Sequence, residues 1–90
     1  MYGEAERRTL LNLIQAIDKN HILLSSENAK STPVLLAKHE IWKQVMESFN
    51  QVTGKKASLF KLRGILNRMK HKWCGKYLEY DPALGIWRIL

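Results

Sequence analysis

The chain has 90 residues, of which 46% are hydrophobic, and it carries a formal net charge of +7. This length suits a single domain over residues 1–90 with one core, and the apolar content argues against intrinsic disorder. No apolar run approaches about 20 residues, the length of a membrane span. The single cysteine, Cys74, has no partner for an internal disulfide. We therefore expect a soluble intracellular domain with no membrane partner.

The positive charge is concentrated in one segment. Eight of the fifteen Lys and Arg residues lie between Glu47 and Glu79, where no acidic residue occurs, and the other seven face eight Asp and Glu residues. A concentrated positive field on an otherwise neutral domain attracts polyanions to one face, and nucleic acid is the leading candidate. The eight residues are Lys55, Lys56, Lys61, Arg63, Arg68, Lys70, Lys72 and Lys76.

Two helices are predicted in the first half of the chain. The first covers residues 4–19, and the second covers residues 33–51, with Thr32 as its N-cap and Gly54 beyond its end. The connector between them contains an apolar cluster at residues 22–24, which we expect to form a short extended piece over the core. The apolar positions at helical spacing are Leu10, Leu11, Ile14 and Ile17 in the first helix, and Ile41, Trp42, Val45 and Phe49 in the second.

A third helix is predicted over residues 58–73, with Ser58 as its N-cap. Its apolar residues lie within a stripe of about 100°, and its opposite face is basic and polar. Arg can pair with guanine and Asn with adenine, whereas Lys suits phosphates. A solvated charged face is the alternative. The apolar residues are Leu62, Ile65, Leu66, Met69 and Trp73; the base-edge candidates are Arg63, Asn67, Arg68 and His71; the phosphate candidates are Lys55, Lys56, Lys61, Lys70, Lys72 and Lys76.

Gly64 lies near the middle of the outer face of this helix. An interior helical glycine costs roughly 1 kcal/mol relative to alanine, and its missing side chain would let the backbone of a partner approach closely. A tolerated glycine without a function is an equal alternative. Phe60, on the same face, either contacts DNA or packs on the C-terminal segment. Trp42 and Trp73 lie on apolar stripes and are predicted core anchors.

The last segment, residues 77–90, is predicted to form a β-hairpin. Two β-favouring runs flank Asp81-Pro82-Ala83-Leu84-Gly85, which has the chemistry of a turn. The hairpin could be a wing that brings Lys76 and Arg88 near a DNA backbone. It could instead be a surface for homodimerisation or for another protein. Packing onto the first helix is the interpretation we favour.

The sequence gives little support for catalysis or metal binding. It contains no Gly-rich phosphate loop, paired-carboxylate arrangement or nucleophile motif. His71 and Cys74 are spaced as two ligands on one helix could be, but a structural zinc site needs four. We therefore predict no enzymatic activity, no cofactor and no metal.

Residues 10–73 resemble the zeste-type Myb/SANT-like DNA-binding domains. The resemblance implies a three-helix fold whose third helix reads DNA in a sequence-specific manner, in a nuclear protein that often self-associates. The sequence departs from the family pattern at Leu66, where tryptophan is frequent, at Gly64, and in its C-terminal hairpin. The resemblance rests on Leu10-Leu11-Asn12-Leu13-Ile14, the connector 22–32, Ile41-Trp42, Phe49-Asn50, Ser58, Leu62, Met69 and Lys70.

Together these features predict a mainly α, three-helix helix-turn-helix bundle of Myb/SANT-like type with a C-terminal β-hairpin, a combination close to a winged helix. Its function would be to bind double-stranded DNA in a transcriptional or chromatin regulator of the nucleus, with the third helix in the major groove. The alternative is a SANT-like protein-interaction or self-association module, and RNA binding is a third possibility. The predicted DNA-binding residues are Lys55, Lys56, Lys61, Arg63, Gly64, Asn67, Arg68, Lys70, His71 and Lys72.

Overall fold

The computed structural model describes residues 3–18, 20–25, 32–73 and 75–90, which form four helices and one β-hairpin. This mainly helical architecture with a small C-terminal hairpin confirms the predicted class. None of the described helices is both long enough and apolar enough to cross a lipid bilayer. The elements are α1 (Glu4–Gln15), α2 (His21–Leu24), α3 (Thr32–Thr53), α4 (Leu59–His71), β1 (Leu78–Asp81) and β2 (Ile86–Ile89).

The short helix α2 was not predicted, so the described chain has four helices where three were expected. The backbone N–H groups of Leu23 and Leu24 both donate to the carbonyl of Asn20, which forms a helical turn where we expected an extended piece. Successive residues of a strand point to opposite faces, whereas this turn buries both leucines together. The expectation that this apolar cluster closes over the core is confirmed.

The bounds of the long helices also differ from the prediction. Helix α1 ends at Gln15, followed by a turn at residues 16–18; Lys19 lies outside the described residues. Helix α3 begins at Thr32, one residue before the predicted start. The predicted capping role of the Thr32 side chain lies outside what the structure describes. Helix α3 ends at Thr53, where Gly54 adopts a φ of +72° and its N–H donates to the Asn50 carbonyl. Such a left-handed residue closes a helix, as predicted for Gly54.

The core lies between α1, α3 and α4, and it is completed by α2 and the start of β1. The predicted apolar faces are buried except for Ile17, Ile65 and Trp73, which are half-buried at its edge. Trp42 is a core anchor as predicted, whereas Trp73 packs at the periphery. The buried residues are Leu10, Leu11, Ile14, Leu23, Leu24, Ile41, Trp42, Val45, Phe49, Ala57, Leu62, Leu66, Met69, Tyr77 and Leu78.

The hairpin forms where it was predicted, with β1 and β2 antiparallel and Tyr80 opposite Trp87. In its loop, the Asp81 carboxylate accepts hydrogen bonds from the backbone N–H groups of Ala83 and Leu84, and Gly85 adopts a φ of +65°. The strands pack mainly against α2 and α4, where we had expected α1. The reason is the unpredicted α2, since the segment that follows it forms a β-bridge between Ser25 and Ile86.

Candidate nucleic-acid interface

The outer face of α4 is exposed along the length of the helix. Ser58 caps the helix as predicted, because its hydroxyl accepts a hydrogen bond from the Lys61 backbone N–H at 3.1 Å. Burial of the opposite stripe against the core then fixes which side chains point outward. Those exposed on this outer face are Phe60, Arg63, Gly64, Asn67, Arg68 and His71, which include all four base-edge candidates.

Phe60 is 88% exposed, so the expectation that it packs on the hairpin is wrong. It lies in the first turn of α4, whereas the hairpin meets the other end of the helix. There the rings of His71 and Trp87 are in edge contact, with centroids 6.0 Å apart. Trp87 in turn packs against Tyr80 at 5.1 Å. Phe60 is therefore an outward-facing apolar residue among basic ones.

The connection between α3 and α4 is fixed by the side chain of Asn50. Its amide oxygen accepts from the Ala57 N–H at 2.8 Å, and its amide nitrogen donates to the Ala57 carbonyl at 3.1 Å. Two hydrogen bonds between one side chain and one residue hold the orientation of α4 relative to α3. From the sequence, Asn50 was recognised only as part of a family resemblance. The feature of the sequence that could have indicated its role is its position, because Asn50 is a polar residue directly after Phe49, near the end of an apolar helix face.

A groove runs between α3 and α4 and is closed on one side by Leu23 of α2. Lys70, predicted to contact phosphate, is half-buried here, and its ammonium group donates to the Leu23 carbonyl at 3.2 Å. Burial away from water and, secondly, repulsion by Lys38 lower the pKa of Lys70 to about 8. The described residues that line the groove are Leu23, Lys38, Trp42, Phe60, Arg63, Gly64, Leu66, Asn67 and Lys70.

Lys38 was not predicted as a binding residue, because it lies outside the segment free of acidic residues. Its position four residues before Trp42 on α3 places it on the same side of that helix. That spacing was the available signal, but nothing in the sequence showed that this side faces α4.

The other predicted phosphate ligands lie in two different environments. Lys56, Lys61 and Lys72 are exposed. Lys55 is half-buried and forms an ion pair with Glu6 of α1 at 3.4 Å. Backbone hydrogen bonding and the ammonium group of Lys55 lower the pKa of the Glu6 carboxyl. The positive charge of Lys55 is therefore partly neutralised within the fold.

A second group of basic residues surrounds Trp73 and Tyr77, beyond the end of α4. Arg7 of α1 lies over the Trp73 ring, 4.5 Å from its centroid, and its Nε donates to the Tyr77 hydroxyl at 3.0 Å. Arg8 lies over the Tyr77 ring at 4.7 Å. Arg7 and Arg8, which belong to the near-neutral part of the chain, are therefore brought beside the basic segment, an arrangement that was not predicted from the sequence. Among the residues that the structure describes, the cations within 6 Å of these rings are Arg7, Arg8, Lys72 and Lys76.

The remaining candidates concern the hairpin and a metal. Arg88, considered as a wing contact, pairs with Asp81 of the same hairpin at 3.5 Å. Cys74, considered with His71 as a zinc ligand, lies outside the described residues. Across residues 3–18, 20–25, 32–73 and 75–90, no three His, Cys, Asp or Glu side chains come close enough to hold a metal ion.

Comparison with known proteins gives one match. A family model described as Myb/SANT-like DNA-binding domain matches residues 2–78, a range that includes all four helices and ends at the first residue of β1. No curated protein and no solved structure matches the chain. This family is defined by DNA binding and is not a class of enzymes. Since the match covers far more than half of the sequence, the chain belongs to the Myb/SANT-like DNA-binding domain family.

Proposed function

We propose that this chain is a sequence-specific, double-stranded DNA-binding domain of a nuclear transcriptional or chromatin regulator. The observation that carries the proposal is the exposed outer face of α4, which combines basic and amide side chains and lies in a segment without acidic residues. DNA presents regularly spaced negative charge, and such a face complements it. Membership of a family of DNA-binding domains supports the same function.

In this proposal α4 lies in the major groove and α3 crosses the DNA backbone, as in helix-turn-helix proteins. The two helices are joined by residues 54–58, held by the bond pair between Asn50 and Ala57. One row on the outer face of α4 is formed by side chains that are four residues apart, namely Arg63, Asn67 and His71. In this arrangement they would contact successive base edges, together with Arg68. Lys56, Lys61 and Lys72, which flank this row, would contact phosphates. We place the domain among the zeste-type members of the family.

The hairpin would act as a wing beside the end of α4. Trp87 contacts His71, so the hairpin lies next to the proposed reading face. Arg88 is 68% exposed despite its ion pair, and it would reach a flanking phosphate. Leu84 and Leu90 are also exposed, at 74% and 55%, and a homodimer through the hairpin would cover them. Light scattering of the chain with and without DNA distinguishes a monomeric wing from a dimer contact.

The test is binding to a randomised duplex pool at several salt concentrations, followed by sequencing of the bound fraction. We expect an enriched motif and a steep loss of affinity with salt. Arg63→Ala and Asn67→Ala should change the preferred sequence, whereas Lys56→Ala, the matched phosphate variant, should weaken all sequences alike. Equal, sequence-independent losses from all three variants would refute the reading roles of α4.

A second candidate function is recognition of an acidic protein segment. The specific observation in its favour is Phe60, because an aromatic side chain that is 88% exposed is a frequent anchor in protein interfaces. Competition between duplex DNA and an acidic peptide separates the two functions. Phe60→Ala should weaken peptide binding far more than DNA binding if the second function holds.

A further inference from the structure

The groove between α3 and α4 brings together three cationic side chains from two helices. Lys38 belongs to α3, whereas Arg63 and Lys70 belong to α4. The described residues that line this groove include no Asp or Glu. Three positive charges therefore face a common space without a neutralising carboxylate from that lining. Such an arrangement is unfavourable in the free protein and favourable once an anion enters.

The absence of a neutralising carboxylate among the described residues of the groove lining matters most for Lys70. One of its three N–H donors is occupied by the Leu23 carbonyl, which holds the ammonium group at the groove and leaves two donors for a ligand. Partial burial and the neighbouring Lys38 disfavour its charge, and its pKa is lowered to about 8. A carbonyl acceptor orients the ammonium group but does not neutralise it. An anion between Lys38 and Lys70 would relieve the repulsion.

The groove is also accessible to a bulky anionic chain. It is open to solvent and has a volume of about 460 Å³. Gly64 lines it and presents no side chain, and a Cβ built at that position would have no neighbour within 4 Å. The backbone of a partner can therefore come close to α4 at this point. A phosphodiester strand needs that access, and lysines bind phosphate as point charges.

We propose that this groove binds one phosphate of the DNA backbone, with Lys38 and Lys70 as its paired ligands and Arg63 at its edge. The inference rests on the proposed DNA-binding function. It adds Lys38 to the DNA-binding residues, although Lys38 lies outside the basic segment 48–78. It also assigns Lys70 to a defined pocket, in contrast to the surface lysines.

A phosphate bound in the groove should make DNA binding depend on pH. The charged groups that face Lys70 from the described lining are Lys38 on α3 and Arg63 on α4, and α2 contributes the Leu23 carbonyl. A bound phosphate keeps Lys70 protonated, whereas free Lys70 loses its proton around pH 8. Binding then takes up a proton at high pH. We expect affinity to fall about tenfold from pH 7 to pH 9, the ratio of the protonated fractions of free Lys70.

The experiment compares Lys38→Met and Lys70→Met with Lys43→Met, a matched control that removes an exposed charge from α3 away from the groove lining. Affinity for one duplex is measured against salt and from pH 7 to pH 9, and thermal unfolding confirms that each variant folds. Each groove variant should bind more weakly and lower the salt slope by about one. Lys70→Met should also abolish the tenfold effect of pH. The control should keep the pH effect of the wild-type chain.

Trp42 provides an independent signal, because it lines the groove, is 3% exposed, and its indole N–H has no acceptor among the described residues. Its NMR resonance should shift when DNA is added to the wild-type chain and much less with Lys38→Met.

If the wild-type chain binds DNA but both groove variants behave like Lys43→Met, the groove inference is overturned and the proposed function stands. If the wild-type chain does not bind DNA, the proposed function itself fails. If an acidic peptide reproduces the pH effect and DNA does not, the ligand is a carboxylate and the phosphate assignment is overturned.

Discussion

Gly64→Ala separates the stability of the domain from its binding, because we expect the two to change in opposite directions. Gly64 is in the interior of α4, is exposed, and is not among the glycines with positive φ. A Cβ at this position would have no neighbour within 4 Å. The substitution therefore removes the helical penalty of glycine, roughly 1 kcal/mol, without a steric conflict. For a domain of this size, that gain corresponds to about 4–8 °C in Tm.

The same methyl group should weaken DNA binding. It would project from the outer face into the groove, where we propose that a phosphodiester strand lies close to the backbone of α4. Forcing an additional methyl group into a packed interface costs about 1–3 kcal/mol. Every 1.4 kcal/mol corresponds to a factor of ten, so we expect a loss in affinity of about fivefold to one hundredfold.

The assay is thermal unfolding by circular dichroism together with fluorescence anisotropy on one duplex at fixed salt and pH. A Tm that rises while affinity is unchanged would refute the close approach of a partner at Gly64, which would then be a tolerated glycine. A Tm that falls would contradict the open environment of this position. An equal loss of affinity for all duplex sequences fits a backbone contact, whereas a change in preference would place a base edge beside Gly64.

Further variants test individual contacts of the fold. Asn50→Ala should destabilise the domain by about 1–3 kcal/mol in urea unfolding, because it leaves the buried backbone groups of Ala57 without their partners; an unchanged midpoint would show that the side chain does not hold the α3–α4 connection. Lys56→Ala should lower the salt slope of DNA binding by about 0.9. Lys55→Ala should lower it by less, because Lys55 is already paired with a carboxylate of α1. Equal salt slopes for the two variants would contradict this difference. Because the pKa of Lys70 is lower in the folded state than in the unfolded state, the unfolded chain binds more protons between about pH 8 and 10.5, and stability should rise with pH across that window. This rise, measured by urea unfolding, should be absent in Lys70→Met.

The sequence predicted those parts of the fold that depend on local periodicity and capping. Leu62, Leu66 and Met69 recur at helical spacing, and their burial fixes the outer face of α4. Ser58 and Gly54 mark helix ends through chemistry that acts within three or four residues. These features need no knowledge of tertiary packing.

The features that were missed depend on which helix faces which. The four residues of α2 are too few for a periodic pattern, and consecutive apolar residues suit either a turn or a strand. Lys38 meets residues of α4 in the groove, and Arg7 contacts Trp73. In both cases the contacted segment is more than 20 residues away in the sequence. The composition of the basic segment therefore located the face, but it could not give the full set of cations that the fold brings to it.

The fold also shows why counting basic residues misjudges an electrostatic interface. Lys55 and Lys70 were equivalent in the sequence, and each makes a specific contact in the structure. The carboxylate beside Lys55 compensates its charge, so a phosphate has less to gain there. The carbonyl beside Lys70 only orients its ammonium group, and a second lysine raises the cost of keeping it charged. A phosphate gains most where a positive charge is held in place and left uncompensated, and the pH dependence of binding should therefore follow Lys70.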